Sequence, residues 1–180
     1  MKTVLAGPTF WPIDQAAEVL RWYREFLPNA PEDLNGFFGF LTVPPIPAFP
    51  AALHLKKVAA VVWCSVASAA EMDTWLRAVD RPGKPALHAV GPMPYPALNS
   101  MFDGLYPPGH QWYWRADFVK QLSDEAIGEH VRHARALPTP QSTMHLYPIN
   151  GAVHRVGTSE TAFSYREANF AEVILGIDPD

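Results

Sequence analysis

One carboxylate interrupts an otherwise apolar run near the C-terminus: Glu172, in NFAEVILGI, Asn169–Ile177. A carboxylate facing a dry pocket is a candidate general base, because removal from water raises its pKa toward the working range. Side chains alternate along a strand, so Ala171, Val173, Leu175 and Ile177 form one apolar face that helices are expected to cover. Glu172 then points the other way, beside Phe170 and Ile174. In His110–Phe118 (HQWYWRADF) the same rule groups Trp112, Trp114, Ala116 and Phe118 and leaves Gln111, Tyr113, Arg115 and Asp117 opposite. In Met144–Pro148, His145 and Tyr147 share one side against Met144 and Leu146. The expectation is a single polar, aromatic sheet face carrying Gln111, Tyr113, Arg115, His145, Tyr147 and Glu172. On it Glu172 reads as the catalytic base. Tyr113 and Tyr147 can stack on or hydrogen-bond a substrate ring, Gln111 adds a further polar contact, and Arg115 or His145 can steady negative charge. The same alternation also describes the ordinary solvated side of an antiparallel sheet.

Other chemistries find less support. Of the seven histidines, His130 and His133 are three apart on a helical segment, close enough to share an ion. No carboxylate or cysteine cluster completes a metal site, and HVRH is neither HExxH nor HxxEH, so no metal ligand is assigned. No serine lies in a G-x-S-x-G turn, and there is neither a G-x-G-x-x-G nor a P-loop motif. No residue is therefore assigned to cofactor binding. The lone Cys64, inside VAAVVWCSVA, excludes an internal disulfide and reads as a small buried hydrophobe. Trp22, Trp63, Trp75 and Trp114 all lie in apolar segments and read as core.

The elements that must position these residues follow from patterning. Thr3–Phe10 is a predicted strand. Asp14 is the predicted N-cap of a helix whose stripe comprises Ala17, Val19, Leu20, Tyr23 and Leu27. Strands are predicted at Leu34–Val43 and Lys57–Ala67, a helix at Ala69–Ala78 and a strand at Pro85–Val90, giving β-α-β-β-α-β. A short helix at Tyr95–Phe102 follows. The pattern then restarts: a strand at His110–Val119, a helix capped by Ser123 with Asp124 and Glu125 at its positive end, and strands at Met144–Pro148, Gly151–Val156 and Asn169–Ile177. The predicted fold class is α+β: an antiparallel sheet with helices on one face, made of a ferredoxin-like β-α-β-β-α-β unit and a second, incomplete one. The final Asp178-Pro179-Asp180 has the form of a helix start, which predicts a chain cut from something longer.

With 180 residues, 48% of them hydrophobic, the chain can bury a core as one domain spanning 1–180. A net charge of -4 with no Lys/Arg run argues against a nucleic-acid partner. The longest apolar run, Val58–Ala70, is shorter than the ~20 residues a membrane helix needs. The apolar stretch after Lys2 is broken at once by Gly7 and Pro8, unlike a signal peptide. A soluble, cytoplasmic protein without a membrane partner is expected. The nineteen prolines cluster between the periodic segments, as in PPIPAFP and GPMPYP.

The segment VGPMPYPALNSMFDGLYPPGHQWYWRADFVKQLSDEAI, then GAVHRV and TAFSYREANFAEVILGIDPD, resembles the substrate domain of berberine bridge enzyme-like oxidases, part of the vanillyl-alcohol-oxidase group. The opening VLAGPTFWPIDQAAEVLRWYREFLPNAPEDL resembles the first strand and helix of that domain. The chain departs from the family's pattern at Tyr165, where relatives usually carry His, and at Asn150, where a Gly-Gly pair is common. The resemblance implies an FAD-dependent oxidoreductase that moves hydride from an alcohol, sugar or amine carbon to flavin. It implies too that the flavin sits on a separate flavin-binding domain, in cis or in trans, so that no FAD is expected on this chain and no activity is expected of it alone. Two other readings stay open: a stand-alone dimeric α+β barrel that binds a small molecule or acts as a cofactor-free enzyme, and a non-catalytic interaction module that forms a homodimer.

Overall fold

The computed structural model describes residues 3–77 and 82–178. The nearly continuous apolar run becomes β3 (Lys57–Ser65), buried along almost its whole length because it lies between two other strands with both its faces covered. Its neighbours are β1 (Thr3–Pro12) and β2 (Leu34–Thr42). The remaining strands are β4 (Leu87–His88), β5 (Gly91–Pro94), β6 (Gln111–Val119), β7 (Thr143–Pro148) and β8 (Phe170–Asp178). They form one eight-stranded antiparallel sheet in the order β4-β1-β3-β2-β7-β8-β6, with β5 also paired to β1. The fold is therefore α+β. In each half the third strand lies between the two that flank a helix: β3 between β1 and β2, and β8 between β6 and β7. The β2–β7 ladder joins the halves.

Two helices lie on one face, α1 (Ala16–Phe26) and α4 (Asp124–Arg135). They are antiparallel, because Arg24 near the end of α1 pairs with Asp124 at the start of α4 at 2.9 Å, while Asp14 ahead of α1 pairs with Arg135 at 2.8 Å. These ion pairs are solvent-exposed and orient the helices more than they stabilise them. The stabilisation is apolar: Val19, Leu20 and Tyr23 of α1 and Ile127 of α4 are fully buried against Phe38, Phe40, Val61 and Trp63. Tyr23 donates its hydroxyl to the Gly36 carbonyl at 2.6 Å, so its one polar atom is satisfied inside the core.

Helix starts follow local chemistry. Ser123 caps α4 by accepting from the Ala126 amide at 3.2 Å, as predicted. Ser68 and Glu71 close a reciprocal capping box on α2 (Ala69–Leu76). The helix predicted to start at Asp14 starts later: a 3-10 turn at Ile13–Gln15 takes the first turn, Gln15 becomes the N-cap, and Asp14 faces Arg135 instead. Ala78, the predicted end of α2, lies outside the described residues, as do the side chain of Trp75 and the predicted helix start at 179–180; Asp178 ends β8.

Two predicted strands come out differently. Pro85–Val90 contracts to the two residues of β4, after which the ladder is interrupted and resumes on β1 in the same register as β5. The interruption falls at Gly7, where φ is +140° and an added Cβ would lie 2.0 Å from the Ala89 carbonyl oxygen. Gly151–Val156 is a 3-10 segment at Gly151–Arg155 rather than a strand, and β8 fills the third-strand place in the second half. A short helix, α3 (Tyr95–Asn99), and a 3-10 turn at Asp103–Leu105 follow β5, and two further 3-10 turns lie at Leu27–Asn29 and Ala51–Leu53. No helix among the described residues is long and apolar enough to cross a membrane.

Candidate functional site on the open sheet face

The face away from α1 and α4 is aromatic and nearly uncharged. Register settles which side chains share it. Gly39 pairs with His145, and His145 with Val173, so Phe37, Gly39, Leu41, Thr143, His145 and Tyr147 look outward together with Val173 and Leu175. Across β6–β8, Trp112 pairs with Ile177 and Trp114 with Leu175, placing both indoles on this face. The segment from α3 to Tyr106 straps across part of it: Phe102 meets Phe37 with centroids 5.7 Å apart, and Tyr106 meets Trp112 at 5.7 Å.

The site centres on His145 and Tyr147, whose Nδ1 and hydroxyl are 2.8 Å apart. Phe37 holds both, with centroids 5.4 Å from the imidazole and 5.0 Å from the phenol ring. Opposite the imidazole stands Gly39, where an added Cβ would be only 3.2 Å from the ring, so a residue without a side chain makes the room His145 occupies. Burial lowers the His145 pKa to about 4 and keeps the ring neutral at neutral pH. Burial, with a smaller contribution from Tyr106, pushes the Tyr147 hydroxyl up to about 12. Moving the phenolic proton onto this imidazole is uphill on both counts. At neutral pH the two form a neutral, hydrogen-bonded pair.

Two cavities flank this pair. The larger, about 360 Å³, lies between α3 and the β2–β3 strands and is bounded by Phe37, Cys64, Tyr95, Asn99, Phe102 and Tyr147. The smaller lies behind Phe102 and is reached by His145, Tyr106, Thr143 and Leu41. Phe37 and Phe102 form the partition, since both line both cavities. No Asp, Glu, Lys or Arg among the described residues lines either one.

The predicted single face is divided in two. His145 and Tyr147 belong to the open face, whereas Gln111, Tyr113, Arg115 and Glu172 are on the side of the helices. The cause is Phe170, whose ring lies 6.1 Å from that of Tyr23 beneath α1; this fixes Glu172 and Ile174 on the helix side as well. The apolar set Ala171, Val173, Leu175 and Ile177, predicted to meet helices, faces the other way. Glu172 is 2.7 Å from His130 Nε2 of α4, and His130 Nδ1 is 2.7 Å from the Ala126 carbonyl. Both ring nitrogens thus face acceptors, an arrangement that the doubly protonated imidazolium satisfies. Burial opposes this charge, but the hydrogen bonds to Glu172 and Ala126 and the attraction of Glu172 raise the His130 pKa overall. The carboxylate read as a base thus lies between helix and sheet, within ion-pair distance of His130 and away from the open face.

Tyr113 and Arg115 form their own exposed pair on β6, with Nε donating to the hydroxyl at 2.8 Å, beyond the reach of α4. Gln111 is likewise exposed on that strand. Trp63 and Trp22 are core, but Trp114, predicted to be core, is 56% exposed on the edge strand. Cys64 lines the larger cavity instead of the core, and burial pushes its thiol pKa up. Tyr165 stacks on Phe118 at 4.0 Å, and Asn150 accepts from Asn35 at 3.2 Å. No group of three or more His, Cys, Asp or Glu among the described residues is arranged to hold a metal. Phe37, Tyr95, Asn99, Phe102 and Tyr106 were not singled out by sequence. For Tyr95, Phe102 and Tyr106 the one signal is aromatic content in a proline-rich connection, and for Phe37 its place in a Phe-rich strand.

No family model matches the chain, and no curated protein does. Solved structures share its fold. The chain is similar to BBE-like #28 from Arabidopsis thaliana, at 14% identity and a TM-score of 0.74, covering 98% of this chain and 37% of that one. It is similar to berberine bridge enzyme from Eschscholzia californica (13%, TM-score 0.72, 98% and 36%) and to an Acremonium strictum glucooligosaccharide oxidase (15%, TM-score 0.76, 98% and 38%). The described fold is thus that of one portion of berberine bridge enzyme-like, FAD-linked oxidases, and the chain spans little more than a third of their length.

Proposed function

We propose that the chain is the substrate-binding part of an FAD-dependent oxidoreductase, its open sheet face forming one wall of the pocket. The observation that carries this reading is a neutral His145–Tyr147 pair between two aromatic cavities, on the sheet face away from α1 and α4 of a fold shared with part of such oxidases. The residues lining that face do not fit a flavin dinucleotide, whose pyrophosphate needs cations or a glycine-rich turn at a helix N-terminus. The flavin accordingly belongs to a separate flavin-binding domain, in cis or in trans, which also covers the exposed Trp114 edge. This chain orients the substrate: Phe37 and Phe102 hold its ring plane, and Tyr147, braced by His145, fixes a polar group by hydrogen bonding. Gln111, Tyr113 and Arg115, on the opposite side of β6, contribute to substrate binding only if a partner wraps that edge. Glu172 acts through structure.

The test is spectroscopic. The purified chain titrated with FAD is expected to leave the flavin absorbance and fluorescence unchanged, and to release no peroxide from alcohols, sugars or amines. A preparation that is yellow, or that turns over with added FAD, overturns the proposal.

One observation favours a second reading. β6 ends the sheet order, its outer edge borders no strand among the described residues, and Tyr113 and Trp114 are 62% and 56% exposed on it. Such an edge supports a homodimer formed across β6. Light scattering that gives twice the chain mass, returning to one mass on Trp114→Lys, supports it; a monomer throughout removes it.

A further inference from the structure

We infer that the smaller cavity behind Phe102 is a hydration site, and that its water joins Thr143 to His145 and makes, with Tyr147, a proton path between the two open-face cavities. The site is apart from the larger cavity and does not depend on the substrate-wall reading.

Two side chains bring unmet hydrogen bonds to this cavity. Thr143 is 9% exposed, and its Oγ1 closes no hydrogen bond among the described residues. Register aims it outward, since Thr143 pairs with Leu175 and shares a face with His145. His145 is 7% exposed and lines the smaller cavity but not the larger. Its Nδ1 is taken by Tyr147 at 2.8 Å, whereas Nε2, at the tip of the ring, makes no hydrogen bond to the described residues. Buried polar atoms are rarely left so, because each forfeits its bond to water with nothing in return. A third polar group stands close. Burial raises the Tyr106 pKa and the neighbouring Thr143 hydroxyl holds part of that rise back, yet no direct hydrogen bond closes between them. Water bridges polar groups that approach in this way.

Size and lining select water. The cavity holds about 70 Å³, enough for a few waters at roughly 10–15 Å³ as the least each needs, and well below the roughly 150 Å³ of a cavity that takes benzene. No described Asp, Glu, Lys or Arg lines it, so an ion would enter without a counter-charge. A wholly apolar cavity stays dry. Here water finds Thr143, His145 and Tyr106, and it needs roughly two to four partners.

The path follows from position. Phe37 and Phe102 separate the cavities, Tyr147 lines only the larger and His145 only the smaller, so their hydrogen bond crosses the partition. A proton arriving at the Tyr147 hydroxyl sends the phenolic proton to Nδ1 while the Nε2 proton passes to water; the reverse sequence returns one. Storing a proton on this imidazole is unfavourable, but passing one through it leaves both rings neutral. A group bonded to Tyr147 in the larger cavity can thereby exchange a proton with water behind Phe102.

Three measurements on the intact chain test this. In a high-resolution crystal structure, water is expected within hydrogen-bond distance of both Thr143 Oγ1 and His145 Nε2, kept in Thr143→Ser and lost in Thr143→Val. In heteronuclear NMR at pH 7, the His145 ring N–H is expected to exchange with water about tenfold faster in wild type and Thr143→Ser than in Thr143→Val, the factor that one lost hydrogen bond implies. Urea unfolding adds a test of sign. Thr143→Val removes an unmet hydroxyl from a dry cavity and raises the midpoint, but breaks a made bond in a wet one and lowers it. The lowered midpoint is expected. Water that fails to bond both atoms, an exchange rate that Thr143→Val leaves unchanged, or a midpoint that does not fall overturns the inference. The wild-type structure decides even where Thr143→Val does not fold. A chain that retains FAD removes the substrate-wall reading and leaves these results standing, whereas a dry cavity removes the path alone.

Discussion

Trp63→Ala is expected to lower the unfolding free energy by about 3–5 kcal/mol, enough to consume much of a domain's stability. Trp63 is fully buried on the helix side of β3, edge-on to Trp22 at 6.2 Å and to Phe26 at 6.0 Å. Truncation leaves a cavity that the sheet on one side and α1 on the other cannot collapse to fill. A second loss is polar. The indole Nε1 donates to Thr9 Oγ1 at 3.1 Å, and Thr9 in turn bonds His88 Nδ1 of β4 at 2.8 Å. Removing the indole therefore loosens the attachment of the short β4 as well. Urea unfolding measures this as a lower midpoint at unchanged slope, and Trp63→Phe should recover part of the loss. A change below about 1 kcal/mol for Trp63→Ala would contradict the packing of α1 on β3.

Stability is expected to peak near pH 6.5 and fall on both sides, because two histidines titrate with opposite signs. His145 has its folded pKa lowered to about 4, against about 6.5 for an unfolded histidine. Below pH 6.5 the unfolded chain takes up a proton that the folded chain refuses. The contribution of His145 is thus complete above pH 6.5 and lost progressively toward pH 4, an amount of about 3 kcal/mol. His130 behaves in reverse. Its folded pKa is raised by Glu172 and the Ala126 carbonyl, burial notwithstanding, so its contribution is complete below pH 6.5 and lost as pH rises through the folded value. Glu129, Arg132 and His133, exposed on α4 beside it, and Asp117, which pairs with Glu172 across β6–β8, face the same region. Urea midpoints between pH 4.5 and 9 check the profile. Glu172→Gln should flatten the alkaline limb alone, and His145→Gln the part of the acid limb between pH 6.5 and 4.5. Identical profiles for wild type and both variants would refute the two assignments.

These histidines also mark how far patterning carries. His130 was legible as one of a pair three apart on a helix, and the absence of ligand partners argued against a metal. Its partner was not legible, since Glu172 lies more than forty positions away, and only the docking of α4 on β8 brings the two to 2.7 Å. His145 and Tyr147 were grouped correctly on one side of their strand, because residues two apart on a strand must share a face. Grouping them with Glu172, Tyr113 and Arg115 failed because that step chose a face for each strand by its polarity. On β8 both faces are largely apolar, and the more apolar one turned out to be the open one.

The sequence by itself determined most of the strands and helices, though not Gly151–Val156 or the start of α1, together with the Ser123 cap and the division of every strand into two sets of side chains. These are local consequences of periodicity and capping, set within a few residues of chain. Only the tertiary structure decided which set faces the helices, because that depends on strand register and on what packs across it. Phe170 beneath Tyr23 turns β8 one way, and the strap from α3 to Tyr106 closes over Phe37 and His145 on the other side. Alternation has a period but no sign. The core supplies the sign, and with it the location of the site.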